Sequence, residues 1–234
     1  MRILSVTPVR VDAGELARRR DRYRRLSPPG VEFVLEPADA TAPAQFATRD
    51  DIAASTASVT RTLAAAPRDG FAYRMPDCVL DPAVPVTPDA APEGRVAHER
   101  APAVGMLRLT AAHLVATGRR FGAVTRNRAI GDALAERVEE YGYGPWFAGV
   151  AVLDLDFDAI ADTGRWNDAV HGALDGLAAR GADAVVNGCS AVTVDEGATA
   201  HRVPLVDPAE LALRLLAAGA RTGADAGTGT GTEV

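Results

Sequence analysis

The sequence predicts an α/β fold of two lobes, each a parallel sheet flanked by helices, with a cleft between them. Three observations carry this. Short β-branched or aliphatic runs alternate with longer Ala-rich segments, the pattern of βαβ units. The runs are short, as strands are, and clearest at Arg2–Val6, Val31–Leu35, Phe121–Thr125 and Ala184–Val186. A faint internal echo completes the case: Asp69-Gly-Phe-Ala-Tyr73 runs toward Cys78 with Asp81 beyond, and Asp183-Ala-Val-Val-Asn-Gly188 runs into Cys189 with Asp195 beyond.

Arg2–Val6 is the first strand. The following segment holds six arginines between Arg18 and Arg25, which at helical spacing read as a solvated helix face leading into Ser27-Pro-Pro-Gly30. Val31–Leu35 is the second strand, Ala38–Thr48 a Pro-rich surface loop, and Asp50–Ala65 a helix. Pro76–Glu93 is again Pro-rich and reads as a surface loop, long enough to serve as a lid or site wall. Arg100–Thr117, Ala129–Tyr141 and Asn167–Arg180 read as helices, with strands at Phe121–Thr125, Ala148–Leu153, Ala184–Val186 and Val203–Val206 between and after them. The last helix, Pro208–Ala218, is well signalled. Asp207 can cap it, Pro208 takes the first helical position, and Leu211, Leu215 and Ala218 recur at helical spacing. Thr222–Val234, rich in Gly, Thr and Ala, is expected to be disordered; its Gly-Thr repeat follows no strand and precedes no helix, so it is no phosphate cradle.

The expected division places residues 1–99 plus 207–221 in a first lobe carrying Cys78, and residues 100–206 in a second carrying Cys189. Composition narrows the function. A formal net charge of −6 does not favour nucleic acid or an anionic membrane. The N-terminal MRILSVTPV is too short for the apolar region of a signal peptide, and there is no run of 18 apolar residues, so a soluble cytoplasmic protein is expected. Two distant cysteines give no disulfide framework and suit a reducing compartment. The four histidines show no metal-ligand spacing, although His98 could line the cleft. Gly-x-Ser-x-Gly is absent, which argues against a serine hydrolase. Trp146 and Trp166 read as packing residues, and the Asp154–Asp158 alternation as a strand end.

In open α/β sheets, sites form at the carboxyl ends of strands, so two facing lobes would place the two thiols across one cleft. A thiol pair suits moving a proton from one face of a carbon to the other, because a thiol's ordinary pKa of about 8.5 lets either form exist near neutrality. Helix N-termini and a dry cleft would supply the tuning, and backbone N–H groups would hold a carboxylate or enolate. A lone free cysteine is more often a small buried hydrophobe. Gly188 before Cys189 shifts the balance, since a glycine lets backbone approach a ligand.

The segment Ala182-Asp-Ala-Val-Val-Asn-Gly-Cys189-Ser190 resembles the second cysteine motif of the aspartate/glutamate/hydantoin racemase superfamily. Cys78-Val-Leu-Asp81-Pro82 resembles the first motif as the hydantoin racemase branch writes it. Ala101-Pro-Ala-Val-Gly105, Arg120-Phe-Gly-Ala-Val-Thr125 and Val203-Pro-Leu-Val-Asp-Pro208 resemble three further family segments, in the family's order. The resemblance implies a cofactor-independent racemase or epimerase, with Cys78 and Cys189 as the two acid/base groups and no metal. It implies that Thr125 and Ser190 hold substrate oxygens, and it places Asp81 and Thr7 at the substrate too. Thr7 stands where hydantoin racemases carry the first Asn of Asn-Pro-Asn-Thr, while Val9 and Arg10 replace the polar pair. Pro76 and Asp77 also depart from the family, and Asp77 is expected to raise the Cys78 pKa by like-charge repulsion. The implied partner is a small carboxylate or ring-imide substrate, and a homo-oligomer is compatible with the family. Two alternatives stand beside this: a decarboxylase or cis–trans isomerase of the same superfamily with one dominant cysteine, and a catalytically lapsed, metabolite-binding relative.

Overall fold

Strands that are apolar on both faces need cover on both sides, and each sheet of this protein has it. The computed structural model describes residues 1–67, 69–87, 101–194 and 202–225. Along the chain these form β1 (Arg2–Val6), α1 (Ala13–Leu26), β2 (Glu32–Glu36), α2 (Arg49–Ala65), β3 (Tyr73–Arg74) and α3 (Met106–Ala116). There follow β4 (Phe121–Thr125), α4 (Arg128–Glu140), β5 (Phe147–Val152), α5 (Thr163–Ala179), β6 (Ala184–Asn187), β7 (Leu205–Val206) and α6 (Pro208–Asp225). No helix among the described residues is long and apolar enough to cross a membrane.

Two parallel sheets result, in the order β2-β1-β3 and β5-β4-β6-β7. Successive strand side chains point to opposite faces. Ile3 accordingly meets Tyr23, Met106 and Leu213, while Leu4 and Val6 meet Val59 and Leu63 of α2. In the second sheet, Phe121 and Ala123 pack with Leu134 and Val138 of α4; Val124 and Val185 pack with Trp166, Val170 and Leu174 of α5. Trp166 is fully buried, and its indole N–H donates to Asn187 Oδ1 at 3.2 Å, which satisfies its one polar atom. Each such large apolar side chain contributes roughly 1.5–3 kcal/mol on burial.

The strand-to-helix junctions are chosen locally. Asp12 accepts from the Glu15 N–H, Asn127 from Ile130, and Asp162 from Arg165; Thr48 and Asp51 form a reciprocal capping box. These caps satisfy amides that a helix start leaves unpaired.

Helix α3 joins the lobes. Its Met106 belongs to the core under the first sheet, whereas Leu107, Ala111 and Leu114 pack with Phe121 of the second. α3 is therefore shared by both cores. α6 returns to the first sheet's core through Ala209, Ala212 and Leu213, and β7 pairs with β6 in the second sheet.

Several expected boundaries move. α3 begins at Met106, because Ala101–Val104 is spent on pairing: Arg74 N–H donates to the Pro102 carbonyl at 3.0 Å, and Val104 N–H to the Arg74 carbonyl at 2.9 Å. Residue 100 lies outside the described residues. β7 keeps only Leu205–Val206 of the expected Val203–Val206; Pro204 has no N–H for a ladder, though its carbonyl accepts from Val185. α6 continues through Thr222–Asp225, where disorder was expected, and residues 226–234 lie outside the described set. The largest correction concerns Pro76–Glu93. Pro76 through Pro82 is buried rather than a surface loop, since Val79 and Leu80 join the second lobe's core and both acids find internal partners. Residues 88–93 fall outside the described set.

Candidate active site

Four strands deliver their carboxyl ends to one place. β1 leads into Pro8 and Val9, β3 toward Asp77 and Cys78, β4 into Arg126, and β6 into Gly188 and Cys189; all of these residues line one cavity of about 60 Å³. Phe46, Ile130 and Phe157 help to close it, so both lobes contribute to its wall. The expectation that the two thiols share a cleft is met by this arrangement. His98 and His201 lie outside the described residues.

The thiols are unequal. Cys78 is buried, and the Leu80 N–H of its own turn donates to its sulfur at 3.4 Å. Burial pushes its thiol well above the ordinary value; the Leu80 N–H opposes this, and the charges of Asp77, Asp81 and Cys189 add to it. Cys189 is partly exposed. Burial of its sulfur also raises its pKa, but the Ala191 N–H and the positive charges of Arg19 and Arg22 pull the other way. Tuning was expected from a dry cleft and from helix N-termini. Burial is the largest influence on both thiols, and the opposing pull comes from backbone amides in the cysteine turns and, at Cys189, from two arginines of α1.

Those arginines correct the sequence reading. Arg19 and Arg22 are not a solvated face; each is at most 3% exposed. Arg19 lines the cavity, donating to Asp77 Oδ2 at 2.9 Å and to Glu15 Oε1 at 2.7 Å. Tyr23 donates to the other Asp77 oxygen at 2.6 Å. Arg22 pairs with Asp207 and donates twice to the Val192 carbonyl, while Arg18 donates to the Ala191 carbonyl. Helix α1 thus grips the loop that follows Cys189 and the turn that precedes Cys78. A signal for this existed: Leu16, Arg19, Tyr23 and Leu26 recur at i, i+3, i+7 and i+10, one helix face, so a buried stripe on this helix had to include arginine.

The expected binding residues divide. Ser190 lines the cavity, and its hydroxyl donates to the Asp77 carbonyl at 3.0 Å, bridging the two cysteine loops. Thr7, Thr125 and Asp81 are not among the lining residues. The Thr7 hydroxyl donates to the Val9 carbonyl at 2.8 Å and accepts from the Ala38 N–H, so it shapes the turn after β1. The Thr125 hydroxyl donates to the Asn127 carbonyl at 3.2 Å. Asp81 is committed to α3: it accepts from Leu107 and Arg108 N–H at 3.1 and 2.9 Å and from the Tyr141 hydroxyl. Burial nevertheless pushes its carboxyl up to about 7. Gly105 is the counterpart of this arrangement, since a Cβ there would stand 2.0 Å from Asp81 Oδ2.

Gly188, which lines the cavity, is also held close to the sheet. A Cβ on it would lie 2.1 Å from the Val124 carbonyl oxygen, to which its own N–H donates at 2.8 Å. The backbone is thus pressed against β4 at the cavity wall, and this sets where Cys189 leaves the sheet. Arg126, the residue after β4, gave no sequence signal: it is a single arginine beyond a strand. It is 6% exposed and lines the cavity near Cys189. Among the described residues, no group of three or more His, Cys, Asp or Glu side chains is placed to hold a metal ion.

The family model for Asp/Glu/hydantoin racemase matches residues 21–216. Among solved structures, the chain is similar to the allantoin racemase from Klebsiella pneumoniae, at 20% identity and a TM-score of 0.74, over 95% of this chain and 89% of that one. It is likewise similar to allantoin racemase from Pseudomonas fluorescens, at 17% identity and a TM-score of 0.77, over 95% and 92% of the two chains. A mutant of the Nocardia farcinica maleate cis-trans isomerase, solved with a covalently bound succinylcysteine intermediate, matches at 20% identity and a TM-score of 0.62, over 94% and 92%. No curated protein matches the sequence. At these identities the structures establish the shared fold, and the family match extends over most of the chain. The protein belongs to the Asp/Glu/hydantoin racemase family, and with that to the racemase and isomerase class of enzymes.

Proposed function

We propose that the protein is a cofactor-independent racemase or epimerase, acting at a carbon next to a carbonyl in a small amino-acid-like or hydantoin-like substrate. Cys78 and Cys189 are the acid/base pair. The observation that carries this reading is that the two cysteines, 111 residues apart by number (189 − 78), line one cavity from opposite lobes. In the forward step one thiolate takes the α-proton, the electron pair moves onto the adjacent carbonyl oxygen, and the opposite thiol returns a proton to the other face. The cysteines end with their protonation states exchanged, so the product leaves the enzyme poised for the reverse enantiomer. The pair must therefore share one proton in the working state. Cys189, beside Arg19 and Arg22, is the thiol that ionises more readily.

The same asymmetry favours one alternative, a decarboxylase or cis–trans isomerase with Cys189 dominant. Deuterium incorporation from solvent separates them, read by NMR on a panel of amino acids, hydantoins and arylmalonates. Exchange at the α-carbon with loss of optical purity supports racemisation. Loss of carbon dioxide, or a covalent adduct on one cysteine by mass spectrometry, supports the alternative. A panel with no turnover and no thiol protection supports a lapsed, binding-only relative.

A further inference from the structure

Three buried arginines stand at or beside the cavity, and two of them are neutralised. Arg19 pairs with Glu15 and Asp77, and Arg22 with Asp207. Arg126 differs. Among the described residues it has no ion pair; Nη1 donates to the Leu155 carbonyl at 3.3 Å, Nη2 to the Phe46 carbonyl, and Nε is buried with no hydrogen-bond partner. The ring of Phe157 lies 5.6 Å away and supplies only a quadrupole. Asp156 and a Cys189 thiolate favour its charge without an ion pair, and Asp156 is already held by Arg165. A buried cation with no counter-charge in contact is costly, and a buried guanidinium N–H without an acceptor adds to that cost. Both costs fall on one side chain in the wall that holds Cys189.

The geometry points to a carboxylate on the substrate, beside the reacting carbon, as the missing counter-charge, which Arg126 receives from its place in the cavity wall. This rests on the cavity being the reaction site proposed above, and it narrows that proposal from carboxylates and ring imides to carboxylates. The two carbonyl bonds hold the guanidinium plane in place, so the fork is oriented before a ligand arrives. The apolar wall from Val9, Phe46, Ile130 and Phe157 strengthens the pairing by excluding water and leaves the rest of the ligand compact.

The test uses a matched pair, N-carbamoylalanine and 5-methylhydantoin, which differ by one water and by the carboxylate. Each is titrated against iodoacetamide labelling of Cys189 in the full-length protein. The expected result is at least tenfold tighter protection by N-carbamoylalanine. Arg126→Gln should erase that preference, and Arg126→Lys, which keeps the charge but not the fork, should retain part of it. Asn127 also donates to the Phe46 carbonyl, at 2.7 Å, so Asn127→Ser loosens the same loop while leaving the charge; it should keep the preference. Equal or better protection by the hydantoin, protection by neither compound, an unchanged carboxylate affinity in Arg126→Gln, or loss of the preference in Asn127→Ser would each overturn the inference. The wider reading fails separately. Deuterium exchange into the hydantoin that survives Arg126→Gln keeps the racemase and removes the anion site, whereas charge-selective protection without exchange in either compound keeps the anion site and removes the racemase.

Discussion

Arg19 Nη1 stands 2.9 Å from Asp77 Oδ2, and both side chains are buried, which ties the first helix to the turn carrying Cys78. A buried pair of this kind is poor evidence of net stabilisation, because desolvation offsets most of the attraction, but removing one partner is expensive. The two partners are not equivalent here. Without Arg19, Asp77 keeps only the Tyr23 hydroxyl on its carboxylate; without the Asp77 charge, Arg19 still holds Glu15.

Arg19→Met is therefore expected to cost about 3–5 kcal/mol in urea unfolding, Asp77→Asn less, and the double variant less than Arg19→Met alone. Arg19→Met should also slow iodoacetamide labelling of Cys189 at neutral pH, since Arg19 favours the thiolate there. Equal costs for both single variants, with additivity in the double, would show that the charges are not coupled.

Cys189 should label faster than Cys78 at every pH from neutral to 9, because burial raises both thiols and Asp77 adds to this in each, but only Cys189 has Arg19 and Arg22 to favour its thiolate. Cys78→Ser and Cys189→Ser should each abolish racemisation. Each should leave solvent exchange of one enantiomer's α-proton, and the two variants should prefer opposite enantiomers. If one serine variant racemises normally, the two-base mechanism is wrong and the one-cysteine alternative takes its place.

Asp81 gives a pH signature. Its folded pKa, about 7, lies above the ordinary 3.8, so between those values the folded state holds the extra proton. Stability from this group is therefore fully present below about 4 and is lost as pH rises through about 7. Asp81→Asn removes that slope, so the difference in unfolding free energy between wild type and variant should change by roughly 1–3 kcal/mol between pH 4 and 8, in the variant's favour at high pH. A pH-independent difference in chemical denaturation would show that the Asp81 carboxyl titrates normally.

Gly188→Ala tests how the second cysteine is placed. The new Cβ would meet the Val124 carbonyl oxygen at 2.1 Å, and backbone there cannot swing aside as a flexible side chain could. The β4–β6 pairing must open, at a cost of about 1–3 kcal/mol. Cys189 should then label faster in the absence of ligand and lose its protection by ligand. Gly14→Ala, where the nearest atom is the Asp12 carboxylate at 3.4 Å, is the matched control and should do neither.

The order of strands and helices could be read from the residues alone, because continuous aliphatic runs and helical spacing report burial within a few residues along the chain. Arg2–Val6 and Phe121–Thr125 match the observed strands at both ends, and the caps at Thr48 and Asn127 are local choices. The two cysteines were legible for the same reason, as residues in turns after strands. What the tertiary structure decided is which polar groups reach the cavity. Arg19 and Asp77 are 58 positions apart, and Arg22 and Asp207 are 185 apart; no local pattern records such a pairing. Thr7, Thr125 and Asp81 carry the right chemistry, yet nearer donors and acceptors claim it: the Val9 and Asn127 carbonyls and the first amides of α3. Arg126 follows its strand without any motif, and only the assembled cavity wall shows that among the described residues it has no ion pair. A buried charge must be matched by whatever the fold brings near it, and that neighbourhood exists only once distant segments have packed.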